Sequence, residues 1–296
     1  MKFAAVDIGS NAVRLQVTQI HYFQGQHTFK KLEYLRFPLR LGKDVFLNQQ
    51  ISEENQYKFK ELMKAFYILI RLYGVNDYMA CATSAMREAR NGKSLVKEVR
   101  EEIGLKITII DGNKEAELIN KSLGSHIDGK TYLHLDVGGG STELNVFKKG
   151  EKVAAKSFQM GSVRTLNQEL PQAVLQQMKR FIDRHLLGEK TVYGIGTGGN
   201  INKVFDLSAP QKRTNYLSIE KMREVLALLE RHSNEEKLNL LQLNEDRADV
   251  IVPATKIYLA AFDAARIQRI KVPELGLKDG MLLQLFERNR SKQEQR

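Results

Sequence analysis

Two stretches of the sequence decide the fold: Val6-Asp-Ile-Gly-Ser-Asn-Ala-Val-Arg-Leu-Gln-Val17 and Leu135-Asp-Val-Gly-Gly-Gly-Ser-Thr-Glu-Leu-Asn-Val146. Both follow the pattern D-x-G-x(4)-[R/E]-L-x-V, and their aspartates, Asp7 and Asp136, stand 129 positions apart. In each copy an apolar strand runs into the aspartate, turns through glycine and small polar residues, and leaves as a second alternating strand. The repeat indicates a duplicated domain whose halves open with the same hairpin.

Each copy is followed by alternating strands and helices. In the first half, apolar residues at the 3.6-residue period predict a helix from Ser52 to Tyr73. In the second half, a helix over Pro171–Leu187 is followed by a strand at Thr191–Ile195. This mixture predicts α/β architecture with an active-site cleft between two lobes. The first lobe is expected over residues 1–124 and the second over 125–296, with a final helix, 280–290, as a candidate to pack back on the first lobe.

The composition of the 296-residue chain is that of a folded globular protein, with 42% apolar and 27% charged residues. No run approaches the roughly 18 apolar residues of a membrane span, and the amino terminus has no apolar signal-peptide core. A cytoplasmic protein with no membrane partner is therefore expected. The single cysteine, Cys81, excludes an internal disulfide and a thiolate-rich metal site.

The net charge of +11 favours an anionic ligand. Basic residues cluster at Lys148-Lys149 and at Lys212-Arg213, which makes both pairs candidate anion contacts. The chain has no aromatic–basic alternation of the kind that stacks bases, so no specific nucleic acid is expected as a partner.

The two hairpin turns have the composition of phosphate-binding loops. Their small residues let backbone N–H groups approach anionic oxygens closely. The carboxylates of Asp7, Asp136 and Glu143 would then hold Mg²⁺, or another divalent cation, against the phosphates. For one hairpin alone, an ordinary tight turn is the simpler interpretation; the matched pair favours phosphate binding. The candidate phosphate contacts in these turns are Ser10, Asn11, Gly138, Gly139, Gly140, Ser141 and Thr142.

Seven motifs stand in order along the chain: Asp7-Ile-Gly-Ser-Asn-Ala-Val-Arg-Leu15, Thr83-Ser-Ala-Met-Arg-Glu-Ala-Arg-Asn91, Gly112-Asn-Lys-Glu-Ala-Glu-Leu-Ile119, Asp136-Val-Gly-Gly-Gly-Ser-Thr-Glu-Leu144, Met160-Gly-Ser-Val-Arg164, Gly196-Thr-Gly-Gly199 and Arg247-Ala-Asp-Val-Ile251. Together they resemble the exopolyphosphatase / guanosine pentaphosphate phosphohydrolase (Ppx/GppA) family of the actin–hexokinase–Hsp70 superfamily. The resemblance implies two duplicated actin-like, ribonuclease H-like lobes. It departs at Ala12, where the family usually has serine, and it implies a short form without the C-terminal HD-type extension.

The resemblance also implies an activity, the Mg²⁺-dependent hydrolysis of a terminal phosphoanhydride. The substrate would be inorganic polyphosphate or guanosine pentaphosphate, with guanosine tetraphosphate as a related ligand; a homodimer is compatible with it. Glu115 corresponds to the family's catalytic glutamate, which orients or deprotonates water. From the residues alone, a helix-start carboxylate favoured by the macrodipole is an equal interpretation. Arg87 corresponds to a phosphate contact and offers a bidentate fork.

Two further motifs are each typical of another class of enzyme or binding site, but each matches its pattern only in part. Cys81 and Arg87 have the C-x5-R spacing of cysteine-dependent phosphatases, but the loop lacks glycine, so a buried core cysteine is expected. Gly194-Ile-Gly-Thr-Gly-Gly199 fits the dinucleotide fingerprint without the acidic residue after a second strand. Gly196 is therefore predicted as a phosphate or nucleotide contact. A kinase of the same superfamily and a non-catalytic module binding guanosine tetra- or pentaphosphate stay open as alternatives.

Overall fold

The computed structural model describes residues 1–208 and 215–294 and divides the chain into two compact units. Unit 1 spans Met1–Leu123 and continues from Gly276, and unit 2 lies within Gly124–Leu275. The candidate pair Lys212-Arg213 lies outside the described residues. Within the described ranges, no helix combines the length and the apolar character needed to cross a membrane.

Both units are built from strands and helices with the following bounds. The strands are β1 (Lys2–Ile8), β2 (Val13–Phe23), β3 (Gln26–Phe37), β4 (Asp77–Ala82), β5 (Thr108–Ile109), β6 (Tyr132–Val137), β7 (Thr142–Lys148), β8 (Glu151–Phe158), β9 (Tyr193–Thr197), β10 (Tyr216–Ser218) and β11 (Arg269–Lys271). The α-helices are α1 (Leu41–Asn48), α2 (Glu53–Leu72), α3 (Ser84–Glu88), α4 (Gly92–Ile103), α5 (Gly112–Ser122), α6 (Gln172–Leu186), α7 (Gly199–Leu207), α8 (Ile219–Arg231), α9 (Asn234–Asn239), α10 (Glu245–Ala248), α11 (Ile251–Ala264) and α12 (Leu277–Glu294).

The sheet of unit 1 has the strand order β3-β2-β1-β4-β5. β1 is antiparallel to β2 and parallel to β4, so the antiparallel hairpin and the parallel part of the sheet meet at β1. The helix predicted at Ser52–Tyr73 is confirmed as α2, which begins after the Ser52 N-cap and buries Phe59, Met63 and Phe66 in the core. The predicted final helix is also present as α12. It packs against α5 within unit 1, where Gly280 lies so close to Leu118 that no side chain would fit.

The sheet of unit 2 has the order β8-β7-β6-β9-β11-β10. Its first five strands repeat the order of unit 1, with the same directions: β6 is antiparallel to β7 and parallel to β9. β10 adds an antiparallel edge strand. α6, α7 and α8 all contact α11, whose buried face includes Ile257, Tyr258 and Phe262. The duplicated α/β organisation predicted from the repeat is confirmed by this shared strand order.

Candidate functional site

The hairpin of β1 and β2 ends in a carboxylate that has a cation opposite it. The strand register pairs Asp7 with Arg14, and Arg14 Nη1 donates to Asp7 Oδ2 at 2.9 Å. Asp7 is only 8% exposed, so the guanidinium offsets the cost of removing its charge from water. Asp7, predicted from the sequence as a metal ligand, is therefore already engaged by an internal cation.

The hairpin of β6 and β7 has the same register but a different partner at the matching place. Here Asp136 lies directly opposite Glu143, and both are buried, at 9% and 1% exposure. Cross-strand partners share a face of the sheet with Cβ atoms about 4.5–5.5 Å apart, where like charges repel. Hydroxyl groups support both: Thr197 Oγ1 donates to Asp136 Oδ2 at 2.7 Å and Ser157 Oγ donates to Glu143 Oε1 at 2.9 Å. Two facing carboxylates held in this way are a donor set that suits a hard divalent cation.

Behind Asp136, the register aligns a file of polar side chains that sequence reasoning missed. Asn145 lies opposite His134, and Thr197 is the β9 neighbour of Asp136. His134 is fully buried, and this burial lowers its pKa to about 3, so the imidazole is neutral. Because the Thr197 hydroxyl donates to Asp136, it must accept from His134 Nε2, 2.9 Å away. Nδ1 then accepts from Asn145 Nδ2 at 3.1 Å, and the whole chain of donors points at Asp136. The available signal was His134-Leu-Asp136, two polar residues on one face of an apolar strand.

The Gly138–Ser141 loop is shaped by a segment that comes 20 residues later. Ser162 N donates to the Gly138 carbonyl at 3.0 Å, Val163 N to that of Gly139 at 2.8 Å, and Arg164 Nε to that of Gly140 at 2.7 Å. In a trans peptide the carbonyl and the next N–H point in opposite directions, and no peptide bond among the described residues is cis. The N–H groups of residues 139, 140 and 141 therefore face away from the 162–164 segment. Successive N–H groups pointing the same way form an anion-binding nest.

Gly161 explains why this segment can come so close. A Cβ on Gly161 would lie 2.6 Å from the backbone of Gly139 and Gly140, so only glycine fits there. Of the other predicted contacts in this loop, Ser141 is buried beside Gly140, and the Thr142 hydroxyl donates to the carbonyl of Met160, which follows β8.

The glycine cluster after β9 divides into a packing part and a part beside the carboxylates. Gly196 lies within β9, where a Cβ would meet Ile201 and Ile270 at 3.1 and 3.3 Å, so its small size serves the core. Gly198 has φ 102° and comes within reach of the carboxylate, since its Cβ position lies 3.1 Å from Asp136 Oδ1. The structure thus places Gly198, rather than Gly196, next to the candidate site.

In unit 1 the predicted phosphate contacts lie on short linked elements. The Ser10 and Ser84 hydroxyls share a hydrogen bond of 2.8 Å, which joins the first hairpin turn to the start of α3. Asn11 follows in the same turn, where its carbonyl accepts from Arg40 N at 2.9 Å. Arg87, near the end of α3, donates from Nη1 to the Ile110 carbonyl at 2.6 Å. A guanidinium has five N–H donors, so this bond leaves Arg87 able to bind an anion as well.

Glu115 lies in the first turn of α5, whose N-cap is Asp111. The Asp111 side chain accepts from Lys114 N at 2.8 Å, and Glu115 N donates to the Asp111 carbonyl at 3.0 Å, so the turn that carries Glu115 is fixed. The side chain of Glu115 is half-buried. A carboxylate held on a fixed turn at partial exposure can still accept a proton from water.

Cys81 lies in the same unit, and its surroundings decide whether its thiol could act as a nucleophile. The cysteine is buried in β4 next to Asp7. Burial raises the pKa of Cys81 to about 12, and the negative charges of Asp7 and Glu115 act in the same direction. The thiol is therefore protonated at neutral pH, which confirms the prediction of a core cysteine rather than a nucleophile.

The described residues contain no group of three or more His, Cys, Asp or Glu side chains arranged to hold a metal ion. Mg²⁺ is usually bound by one or two carboxylates together with substrate phosphates and water. Asp136 and Glu143 match that donor set, whereas Asp7 has Arg14 as its partner.

The fold and these residues define a class: duplicated α/β proteins in which each half opens on a glycine-containing hairpin with a terminal carboxylate. The model of the Ppx/GppA phosphatase family matches residues 20–289, and the chain belongs to this family. The resemblance inferred from the seven motifs is thereby confirmed.

Relatives of nearly the same length support this assignment. Exopolyphosphatase 1 of Mycobacterium tuberculosis is 25% identical over 307 residues, which cover 96% of this chain and 88% of the relative. The putative exopolyphosphatase of Haemophilus influenzae is 23% identical, with 96% and 91% covered. Among solved structures, an exopolyphosphatase from Cytophaga hutchinsonii superposes with a TM-score of 0.82 at 22% identity, over 97% of this chain and 98% of the other. The Aquifex aeolicus member of the family superposes with a TM-score of 0.75 at 22% identity, over 98% of both chains.

Proposed function

We propose that this phosphatase is an exopolyphosphatase, which removes the terminal phosphate of inorganic polyphosphate with the help of Mg²⁺. Family membership and the exopolyphosphatase relatives support the substrate class. The observation that carries the proposal is the second hairpin. It places a pair of facing carboxylates, Asp136 and Glu143, at the two ends of a loop whose N–H groups suit an anion.

In this proposal Asp136 and Glu143 hold the cation. When bound, Mg²⁺ neutralises negative charge on the phosphate oxygens and fixes their orientation. The chain of donors from Asn145 through His134 and Thr197 holds Asp136 in place. Asp7 has a structural task instead, since its charge is balanced by Arg14.

Phosphate groups of the chain bind the N–H groups of residues 139–141. Within unit 1, taken by itself, Ser10, Asn11 and Arg87 are proposed phosphate contacts, with Arg87 supplying a planar fork for two phosphate oxygens. Because backbone N–H groups and a guanidinium bind phosphate oxygens and not a base, this set accepts any terminal phosphoanhydride. Guanosine pentaphosphate is therefore a second proposed substrate, for which the family resemblance is the support.

Glu115 is the proposed general base. A water oxygen attacks the terminal phosphorus, the bridging P–O bond breaks, and the shortened chain leaves with the electron pair of that bond. Glu115 takes the proton of the attacking water, so that inorganic phosphate is formed. The reaction consumes one water and needs no other reactant.

The proposal is tested by measuring phosphate release from long polyphosphate, short polyphosphate, guanosine pentaphosphate and ATP in parallel, with Mg²⁺ and with EDTA. We expect release from polyphosphate that stops in EDTA. Transfer to an added acceptor, with no release to water, would show a kinase. Binding of guanosine tetra- or pentaphosphate without turnover of any substrate would show a non-catalytic module.

The role of Glu115 is tested against a neighbour on the same helix. Glu115→Gln should lower turnover by roughly 10²–10⁴-fold, the range for loss of a general base, with little change in KM. Glu117→Gln is the matched control, because Glu117 is exposed and paired with Lys114 at 2.8 Å. Equal turnover in the two variants would remove Glu115 from the reaction.

A further inference from the structure

Unit 2 contains a cavity of about 980 Å³ at the end of its sheet where the strands β6 and β9 begin. Tyr132 and Tyr193, the first residues of these two parallel strands, line it. The Gly138–Ser141 loop and Gly198 follow the opposite ends of the same strands. Strands of five to six residues at about 3.3 Å per residue separate the two ends by roughly 15–20 Å. The cavity is therefore distinct from the candidate active site.

Positive charge dominates the ionisable part of the cavity lining, called the rim below. Six basic side chains line it: Lys130, Lys179, Lys190, Arg266, Arg269 and Lys271. Of the three acidic lining residues, two have cations that do not line the cavity: Glu189 Oε1 lies 2.7 Å from Lys148 Nζ, and Asp263 Oδ1 lies 2.6 Å from Arg223 Nη2. The rim therefore attracts anions.

Several of these cations are not committed to carboxylates. In the described part of the chain, Lys179, Lys190, Arg266 and Lys271 have no carboxylate oxygen within 4 Å. The positive charge of Lys271 is also felt nearby, since burial and then this lysine lower the pKa of His126. Basic side chains that hold no internal partner keep their binding capacity for an external anion.

Part of the cavity lining, called the floor below, is aromatic and apolar. The rings of Tyr132 and Tyr193 lie with centroids 5.7 Å apart, and Ile182 and Leu186 complete the floor. Tyr216 is 46% exposed, and the guanidinium carbon of Arg269 lies 4.9 Å from its ring centroid. Tyrosine rings and guanidinium planes are surfaces on which a nucleobase stacks.

Two helices, α6 and α11, end at this cavity, so their C-terminal carbonyls bring partial negative charge to it. Arg266, just after α11, has φ 54°, a left-handed position that favours glycine, yet the residue is an arginine on the rim. Because the helix ends do not attract anions, an anion here must be held by the basic side chains. Binding should therefore respond to single charge substitutions.

We propose that this cavity binds a nucleotide that carries two or more phosphates, with the base against the tyrosine floor and the phosphates against the basic rim. Its volume lies within the range of roughly 300–1,000 Å³ that is usual for small-molecule sites. Inorganic polyphosphate would satisfy the rim but would leave the aromatic floor unused. The proposal does not depend on the reaction that the active site catalyses.

The test is equilibrium dialysis of the full chain with ATP, GTP and CTP, compared with tripolyphosphate and adenosine. All samples carry Glu115→Gln and Arg87→Gln in metal-free buffer, so that turnover does not consume the ligands and the proposed active site, without its cation and its guanidinium, holds them only weakly. At least one nucleotide should bind at least tenfold more tightly than both tripolyphosphate and adenosine. Lys179→Glu should weaken its binding at least tenfold, whereas Arg180→Glu, the next residue of α6 and outside the cavity lining, should leave it unchanged.

Two further variants make the result independent of one substitution. Tyr216→Ala should also weaken binding at least tenfold, and Asp136→Asn should leave it unchanged, because it alters the other end of the sheet. Equal losses in Lys179→Glu and Arg180→Glu, or equal binding of nucleotide and tripolyphosphate, would overturn the proposal, as would no nucleotide binding at millimolar concentrations. Lys179→Glu with Glu115 and Arg87 intact should release phosphate from polyphosphate at the wild-type rate, so failure of the proposed activity is seen separately.

Discussion

The two hairpins that open the halves of this phosphatase have the same register and opposite electrostatics. In the first, Asp7 faces Arg14 at 2.9 Å; in the second, Asp136 faces Glu143. The backbone positions match, because both carboxylates end a strand whose antiparallel neighbour supplies the facing residue. A single change of side chain, arginine in one copy and glutamate in the other, turns a self-neutralised pair into a pair of like charges.

This difference teaches how a duplicated fold can divide its tasks. An internal ion pair stabilises the turn it closes and has little need of an external ion. Two facing carboxylates repel each other, and a divalent cation relieves that repulsion. The second hairpin also has the more elaborate support, since Thr197, His134 and Asn145 line up behind Asp136. In the proposed function, metal binding therefore belongs to the second hairpin and a structural task to the first.

Among changes to the two hairpins and their neighbours, the largest effect is expected from Glu143→Gln, which removes one of the facing charges while preserving size. Turnover at a fixed low Mg²⁺ concentration should fall by at least roughly 100-fold, since even changes outside the ligand shell of a metal cost 10–100-fold. Phosphate release measured against Mg²⁺ concentration checks this. Glu151→Gln, on the exposed β8, is the control and should keep the wild-type Mg²⁺ dependence. A normal Mg²⁺ curve for Glu143→Gln would break the comparison.

Arg14→Gln should act on stability instead. It leaves Asp7 nearly buried without its guanidinium, so the free energy of unfolding should fall by roughly 1–3 kcal/mol. Urea denaturation measures the loss. The Mg²⁺ concentration for half-maximal activity should stay the same, and a large increase in it would mean that the first hairpin also takes part in metal binding.

His134 predicts a pH dependence of stability. Burial lowers its pKa to about 3 in the folded protein, against about 6.5 when exposed, so the unfolded chain binds the extra proton between these values. Stability should therefore fall as the pH drops from about 6.5 towards 3, by up to roughly 1.4 kcal/mol per pH unit from this residue. Urea midpoints at pH 7, 6, 5 and 4 measure the slope. His134→Asn should be less stable at pH 7 but have a shallower slope, and an identical slope would contradict the assignment.

Cys81→Ser should have the smallest effect. The thiol lies beside Asp7, and its pKa of about 12 leaves it protonated, so turnover should change by less than about twofold. The packing loss should be about 1 kcal/mol, the usual size for a single substitution. If turnover vanished in a variant that melts normally, the chemistry would belong to the first hairpin and its neighbouring strand.

Much of the fold could be predicted because its signals are local. The repeated hairpin, the 3.6-residue period of α2 and the helix after Pro171 are each visible within about 20 residues. The short helices α1 and α3 were not predicted, because they are too short for periodicity to show and depend on packing.

Residues of the candidate site could be predicted from the sequence where a motif contains them, but not where only strand pairing brings them together. Asp136 and Glu143 belong to the repeat, so their types and spacing pointed to them. Strand pairing makes these two carboxylates face each other. Strand pairing between residues up to 63 positions apart also lines up Asn145, His134 and Thr197 beside them. The glycine cluster shows the same limit, since burial assigns Gly196 to the core and leaves Gly198 next to Asp136.

The most direct test of the division between the hairpins is Mn²⁺ binding, followed by electron paramagnetic resonance of the free ion. Wild-type protein, Asp7→Asn, Asp136→Asn and Glu143→Gln are titrated under the same conditions. We expect one site in the wild type, the same site in Asp7→Asn, and affinity lowered at least roughly 100-fold in the other two variants. A site that is lost in Asp7→Asn and kept in Glu143→Gln would contradict the account.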